Sequence, residues 1–112
     1  FEALEQQGQL RRPVVPDGCA HNAHMYYLIV DGLEQRTRFI DFMRQRGVSC
    51  VFHYVPLHSS PFGLASGRVA GGCERTEDLA NRLVRLPLWL GMEQVQGRVI
   101  EAVFDFFGRA VR

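Results

Sequence analysis

Between His24 and Tyr54 the apolar pattern changes period twice, and that switch constrains the fold more than any other feature of the chain. His24 to Val30 is a near-continuous apolar and aromatic run of strand length. Asp31-Gly32-Leu33-Glu34 follows, where Asp31 can cap a helix and Glu34 can return the bond. Leu33, Arg36, Ile40 and Met43, with Phe39 and Phe42 flanking, then form a stripe at helical spacing to about Arg46, and Gly47 suits a left-handed exit. Val48 to Tyr54 alternates Val48, Cys50, Phe52 and Tyr54 against Ser49, Val51 and His53, the period of a strand with two unlike faces. Such a strand turns His53 and Tyr54 opposite ways unless it bulges or ends at His53.

The flanks complete a βα pattern. Residues 2 to 7 read as the last turns of a helix that Gly8 ends, and Pro13, Pro16 and Gly18 keep the next stretch irregular. Residues 1–20 are expected to be the end of an inter-domain helix and a linker, and 21–112 a small domain. The segment from Val55 to Gly72 reads as a long Gly- and Ser-containing loop, mobile or functional. Thr76 is a plausible N-cap for a helix reaching about Arg85. A short strand Leu86–Trp89 should follow, at a sheet edge because of Pro87. Val95, Val99, Ala102, Val103 and Phe106 give a closing amphipathic helix. The expected fold is a small open α+β sandwich, three or four strands with helices on one face.

Composition removes several functions. The chain has 112 residues, 46% of them hydrophobic, enough for one domain with a real core. Its net charge is +1 and its charges are interspersed, so neither a nucleic-acid stripe nor a membrane-binding face is expected. No apolar run approaches the ~20 residues that span a bilayer, and the expected location is cytoplasmic. Cys19, Cys50 and Cys73 form no C-x-x-C pair, which suits reduced thiols, with Cys50 a small core hydrophobe. Neither Cys19, His21 and His24 nor His53 and His58 completes a zinc-site spacing, so no metal is expected. All thirteen basic residues are Arg. A Schiff base needs a lysine amine, so any imine nucleophile lies outside this segment. Ser59 and Ser60 beside His58 lack the G-x-S-x-G elbow of a hydrolase.

The candidate site is the exit of the second strand, Val51-Phe52-His53-Tyr54-Val55-Pro56-Leu57-His58-Ser59-Ser60-Pro61. Pro56 biases its predecessor to extended geometry, and the loop beyond can fold over a ligand held by the rigid part. His53, Tyr54 and His58 can all donate hydrogen bonds to oxygen. The plainer alternative is a buried strand histidine beside a tyrosine bonded to a backbone carbonyl.

These strings carry a resemblance. His21-Asn22-Ala23-His24-Met25-Tyr26-Tyr27, Gly47-Val48, Phe52-His53-Tyr54-Val55-Pro56-Leu57-His58, Thr76-Glu77 and Arg85-Leu86-Pro87-Leu88, in that order and spacing, resemble the C-terminal domain of the DegT family of sugar-nucleotide aminotransferases. The fuller strings are most similar to the branch that makes dTDP-4-amino-4,6-dideoxygalactose. The resemblance implies the small, mostly antiparallel domain of a fold type I enzyme of the aspartate-aminotransferase kind. It implies pyridoxal 5'-phosphate as cofactor, its lysine in a large domain outside this segment, and a homodimer at full length. The reaction would move an amino group from L-glutamate to a dTDP-4-keto-6-deoxyhexose for surface polysaccharide such as lipopolysaccharide. His53, Tyr54 and His58 would then face the sugar nucleotide, with His24 and Tyr26 as weaker candidates. Two other classes stay open, a free ferredoxin-like ligand-binding module and a dimerisation domain with an apolar face of Trp89, Phe104, Phe106 and Phe107.

Overall fold

Leu83–Leu86 (β3) is the last strand in the chain yet occupies the middle of the sheet, and that placement organises the fold. The computed structural model describes residues 1–109. The other elements are α1 (Glu2–Gln6), β1 (Tyr26–Ile29), α2 (Leu33–Gln45), β2 (Val51–Phe52), a 3-10 turn (Leu57–Ser59), α3 (Pro61–Ser66), α4 (Glu74–Arg82) and α5 (Glu93–Arg109). The three strands run in the order β1-β3-β2, and both pairings are antiparallel. The small open α+β architecture read from the sequence is the one observed.

Alternation along the strands sends Leu28, Val84 and Leu86 to one side, where all three are buried. Phe39 and Met43 of α2 meet them, together with Val99, Ala102, Val103 and Phe107 of α5. Phe39 stands edge-on to Phe106 with ring centroids 5.1 Å apart, a geometry that aromatic quadrupoles favour. Leu4 and Leu10 join the same core, and Arg11 and Ile29 exchange two backbone hydrogen bonds of 2.8 and 3.0 Å. Phe1, Leu4, Leu10 and Arg11 thus tie the start of the chain onto the domain, whereas residues 14–24 are exposed.

Helix boundaries shift where side chains find better partners. Gly32 is the N-cap of α2 without a side-chain bond, and the Asp31 N–H donates instead to Gln35 Oε1, one residue beyond the expected Glu34. The buried residues of α2 are Met43 of the expected stripe and Phe39, expected to flank it, whereas Leu33 is exposed. Its C-terminus closes as expected. Gly47 has φ 72°, its N–H donates to Arg44 O, and the Val48 N–H donates to Met43 O, the paired bonds of a Schellman ending.

Three expectations are corrected. The strand expected over Val48–Tyr54 is only Val51–Phe52, because only these residues find partners on β3, opposite Arg85 and Val84. Helix α4 begins after Cys73 rather than at Thr76 and stops at Arg82, and the next strand is Leu83–Leu86, central rather than an edge strand over Leu86–Trp89. Val84, paired on both sides, and Leu86, paired with Tyr26, fill the core, and Pro87, lacking an N–H, falls just past the ladder. The segment from Val55 to Gly72 is not an irregular loop. It holds the 3-10 turn and α3, where Ser60 Oγ accepts a 3.0 Å bond from the Gly63 N–H and Pro61 stands in the first turn. Of the apolar face considered for dimerisation, Phe107 is buried in the core and Phe106 packs against it.

Candidate functional site

Because β2 stops at Phe52, strict alternation ends there, and the His53 and Tyr54 rings come together instead of facing opposite ways. Their centroids are 4.4 Å apart with planes at 64°. His53 is partly buried, and its Nδ1 is shielded with no hydrogen-bond partner among the described residues. Tyr54 is 69% exposed. A sheltered imidazole nitrogen without a partner costs free energy that an arriving donor or acceptor recovers. Beside it, the phenol can offer its hydroxyl to a sugar or phosphate oxygen.

His58 sits farther along, in the 3-10 turn. Its Nε2 lies 2.9 Å from Glu77 Oε1 on α4, an ion pair when the imidazole is protonated, although Oε1 makes no directed hydrogen bond. One nitrogen of His58 is thus already engaged.

His24 and Tyr26 lie on the other side of β3 in the sheet order, at and before the start of β1. His24 is exposed in a tight turn. Ala23 has φ 53°, its N–H donates to His21 Nδ1 at 2.9 Å, and Asn22 Oδ1 contacts His24 Nδ1 at 2.5 Å. Tyr26 packs beside Phe1, with ring centroids 6.1 Å apart, and borders an apolar hollow of about 250 Å³ with Leu86, Pro87, Leu88 and Met92. Burial pushes its phenol pKa up, which keeps the hydroxyl a proton donor. The structure therefore unites His53 with Tyr54 and leaves His24 and Tyr26 on the β1 side.

Two supporting residues escaped the sequence reading. Glu77 entered the sequence reading only in the Thr76-Glu77 string, yet it lies against His58. Arg36 was counted within the α2 stripe. Its guanidinium carbon lies 5.1 Å from the Phe52 ring centroid, and its Nη1 donates to Ala80 O, which ties the end of β2 to α2 and α4. An arginine inside an apolar stripe was the available signal, since its stem can be buried while its head seeks oxygen or an aromatic face. Desolvation pushes the Arg36 pKa down.

The chain offers no lysine, so its residues do not fit covalent attachment of pyridoxal phosphate. No described helix is long and apolar enough to cross a membrane.

The architecture is that of a small α+β domain found within aminotransferases. The aminotransferase TlmJ from Streptoalloteichus hindustanus superimposes with a TM-score of 0.79 at 24% identity, over 99% of this chain and 31% of that one, a likeness of fold alone. The S. venezuelae protein DesV, solved in complex with a ketimine intermediate, gives 0.79 at 26% identity over 94% of this chain and 28% of that one. Residues 1–104 match the DegT/DnrJ/EryC1/StrS aminotransferase family, and the chain belongs to that family as a C-terminal fragment. Over 104 residues it is 29% identical to dTDP-4-dehydro-2,3,6-trideoxy-D-glucose 4-aminotransferase of Saccharopolyspora spinosa, covering 93% of this chain and 25% of that protein. An uncharacterised protein of Methanocaldococcus jannaschii is 30% identical over 93 residues, 80% of this chain and 23% of its own length. The chain thus spans about a quarter of the curated relatives it matches.

Proposed function

We propose that this chain is the small domain of a pyridoxal-phosphate transaminase that moves an amino group from L-glutamate to a dTDP-4-keto-6-deoxyhexose. The product would be of the dTDP-4-amino-4,6-dideoxygalactose kind, used for surface polysaccharide such as lipopolysaccharide in the cytoplasm. The lysine, the cofactor site and the homodimer contacts belong to the remainder of the protein. Residues 1–20 would lead from that remainder into the domain of residues 21–112. The cofactor supplies the electron sink for amino transfer, and the part of this segment is to hold the sugar nucleotide.

The observation that carries the reading is the His53–Tyr54 pair, an exposed phenol against an imidazole whose sheltered Nδ1 has no partner among the described residues. In this proposal both present hydrogen bonds to sugar hydroxyl or diphosphate oxygens, and His58 adds the nitrogen that Glu77 leaves free. His24 and Tyr26 contribute less, standing on the β1 side of the sheet. The relative from Saccharopolyspora spinosa, whose name specifies a dTDP-keto sugar, supports the substrate class.

The test is His53→Ala and His58→Ala in the full-length enzyme. Each should lower kcat/KM for the sugar nucleotide about ten- to a hundredfold, the effect of losing about 1–3 kcal/mol, while sparing the glutamate half-reaction. Early melting with wild-type kcat/KM would instead make the pair architecture.

A further inference from the structure

Both ends of the segment from Phe52 to His58 are fastened to the same helix. Glu77 and Ala80 stand about one turn apart on α4. Glu77 Oε1 lies 2.9 Å from His58 Nε2 at one end. At the other, the Ala80 carbonyl accepts a hydrogen bond from Arg36 Nη1, and the Arg36 guanidinium carbon stands 5.1 Å from the centroid of the Phe52 ring. Arg36 thus joins α2, α4 and the last residue of β2, and His53 and Tyr54 lie between the two fastenings. The strand itself supplies little hold there. β2 pairs with β3 only through Val51 and Phe52, opposite Arg85 and Val84, and Phe52 is 45% exposed. His53 follows at once, with its ring centroid 4.4 Å from that of Tyr54. Whatever fixes Phe52 fixes the direction in which the chain leaves the sheet, and so where those two rings stand.

Arginine is a costly residue for that position. The Arg36 Nε is shielded with no hydrogen-bond partner, and none of the ion pairs among the described residues includes Arg36. Desolvating a guanidinium without a carboxylate opposes folding, and a leucine or methionine in the helical stripe would avoid that cost. Desolvation also holds the Arg36 pKa below the usual arginine value. Packing alone therefore does not account for Arg36. Its geometry does, because a planar cation can lie against an aromatic ring while a fixed N–H points at a carbonyl.

We infer that Arg36 is a positioning residue, which fixes the end of β2 against α4 and thereby sets His53 and Tyr54 in place. It acts through those two side chains and not on the substrate. This deepens the reading of His53 and Tyr54 as sugar-nucleotide contacts, on which it rests, by naming what holds them.

The test is Arg36→Met in the full-length enzyme, which keeps an apolar stem and removes the charge. Amide exchange across residues 51–55, read without substrate, should speed up. The value of kcat/KM for the dTDP-4-keto-6-deoxyhexose should fall about tenfold, the scale of a misplaced contact, with the glutamate half-reaction unchanged. Arg36→Lys still brings a cation to the Phe52 ring and should stay within about threefold of wild type. Added to His53→Ala, Arg36→Met should cost much less than it does alone, because the arginine acts through the histidine. Val103→Ala, in the core on α5, should lower Tm and leave both kcat/KM and the exchange at 51–55 as they are. If Arg36→Met fails to fold, Phe52→Leu removes the ring face and is read in the same way. Wild-type exchange at 51–55, full additivity with His53→Ala, or an equal kinetic loss in Val103→Ala overturns the inference. Faster exchange at 51–55 in Arg36→Met, with wild-type kcat/KM in both it and His53→Ala, bears out the hold on the pair and sinks the sugar-nucleotide reading alone.

Discussion

His58 Nε2 and Glu77 Oε1 lie 2.9 Å apart, joining the 3-10 turn after β2 to the first turns of α4. The turn leads into α3, which is exposed, with Phe62 and Leu64 more than 70% accessible. A histidine that looks in sequence like a second ligand donor is therefore also a clasp. Both side chains are partly exposed, so Glu77→Gln should cost only about 0.2–1 kcal/mol of stability. It should nevertheless speed amide exchange across residues 57–66. Unchanged exchange there would show that the pair does not hold the turn.

Phe39 is fully buried against Phe106 and Phe107, and no neighbour can collapse into the space of a whole ring. Phe39→Ala is expected to destabilise the fold by about 3–5 kcal/mol, and Leu90→Ala, at a fully exposed site, by less than about 0.5 kcal/mol. Urea unfolding midpoints separate the two. Equal midpoints would mean the core is not centred on α2.

Burial pushes the Cys50 thiol up to about 12, whereas Cys19 is exposed. Iodoacetamide near pH 8 should therefore label Cys19 and spare Cys50 in the folded protein, as read by peptide mass. The folded pKa lies above the unfolded value of about 8.5, so the folded state holds the extra proton. That contribution to stability is complete below about pH 8.5 and is lost as pH rises toward 12. Cys50→Ala should flatten the alkaline slope, and an unaltered slope would contradict the assignment.

The Arg12 backbone N–H and guanidinium both bond the Glu5 carboxylate at 2.7 Å and hold its pKa below the usual carboxylate range. A depressed folded pKa gives stability above the unfolded value, lost as pH falls through the folded one. Glu5→Gln should reduce the acid sensitivity of unfolding and loosen α1, measured as amide exchange at Leu4. An acid limb identical to wild type would remove this pair from the explanation.

No lysine is present, so the isolated segment should yield no borohydride-stable adduct with pyridoxal phosphate on any internal side chain. A modified internal residue found by mass spectrometry would overturn this.

Local rules were enough for the elements whose ends are local. Gly47 announced the left-handed close of α2 and the stripe placed Met43 inward, while Phe39, read as flanking it, is also buried; Cys50 is buried as expected of a small core hydrophobe, although it lies outside β2. The His-Tyr strand exit was legible for the same reason, since Pro56 limits the residues before it. The position of β3 was not legible. Leu83–Leu86 could continue α4 by propensity, and only pairing with β1 and β2 on both sides makes it the central strand. Pairing also shortened β2 to two residues, and that truncation brought His53 against Tyr54. Partners distant in sequence, Glu77 for His58 and Phe52 for Arg36, carry no periodic signal and appear only once α4 and β2 are packed. Sequence alone determined the residue types, the helical and strand periods and the absence of a Schiff-base nucleophile. Tertiary structure decided which strand lies in the middle, where each strand stops and which charges remain unpaired, because hydrogen-bond ladders and burial are settled between segments rather than within them.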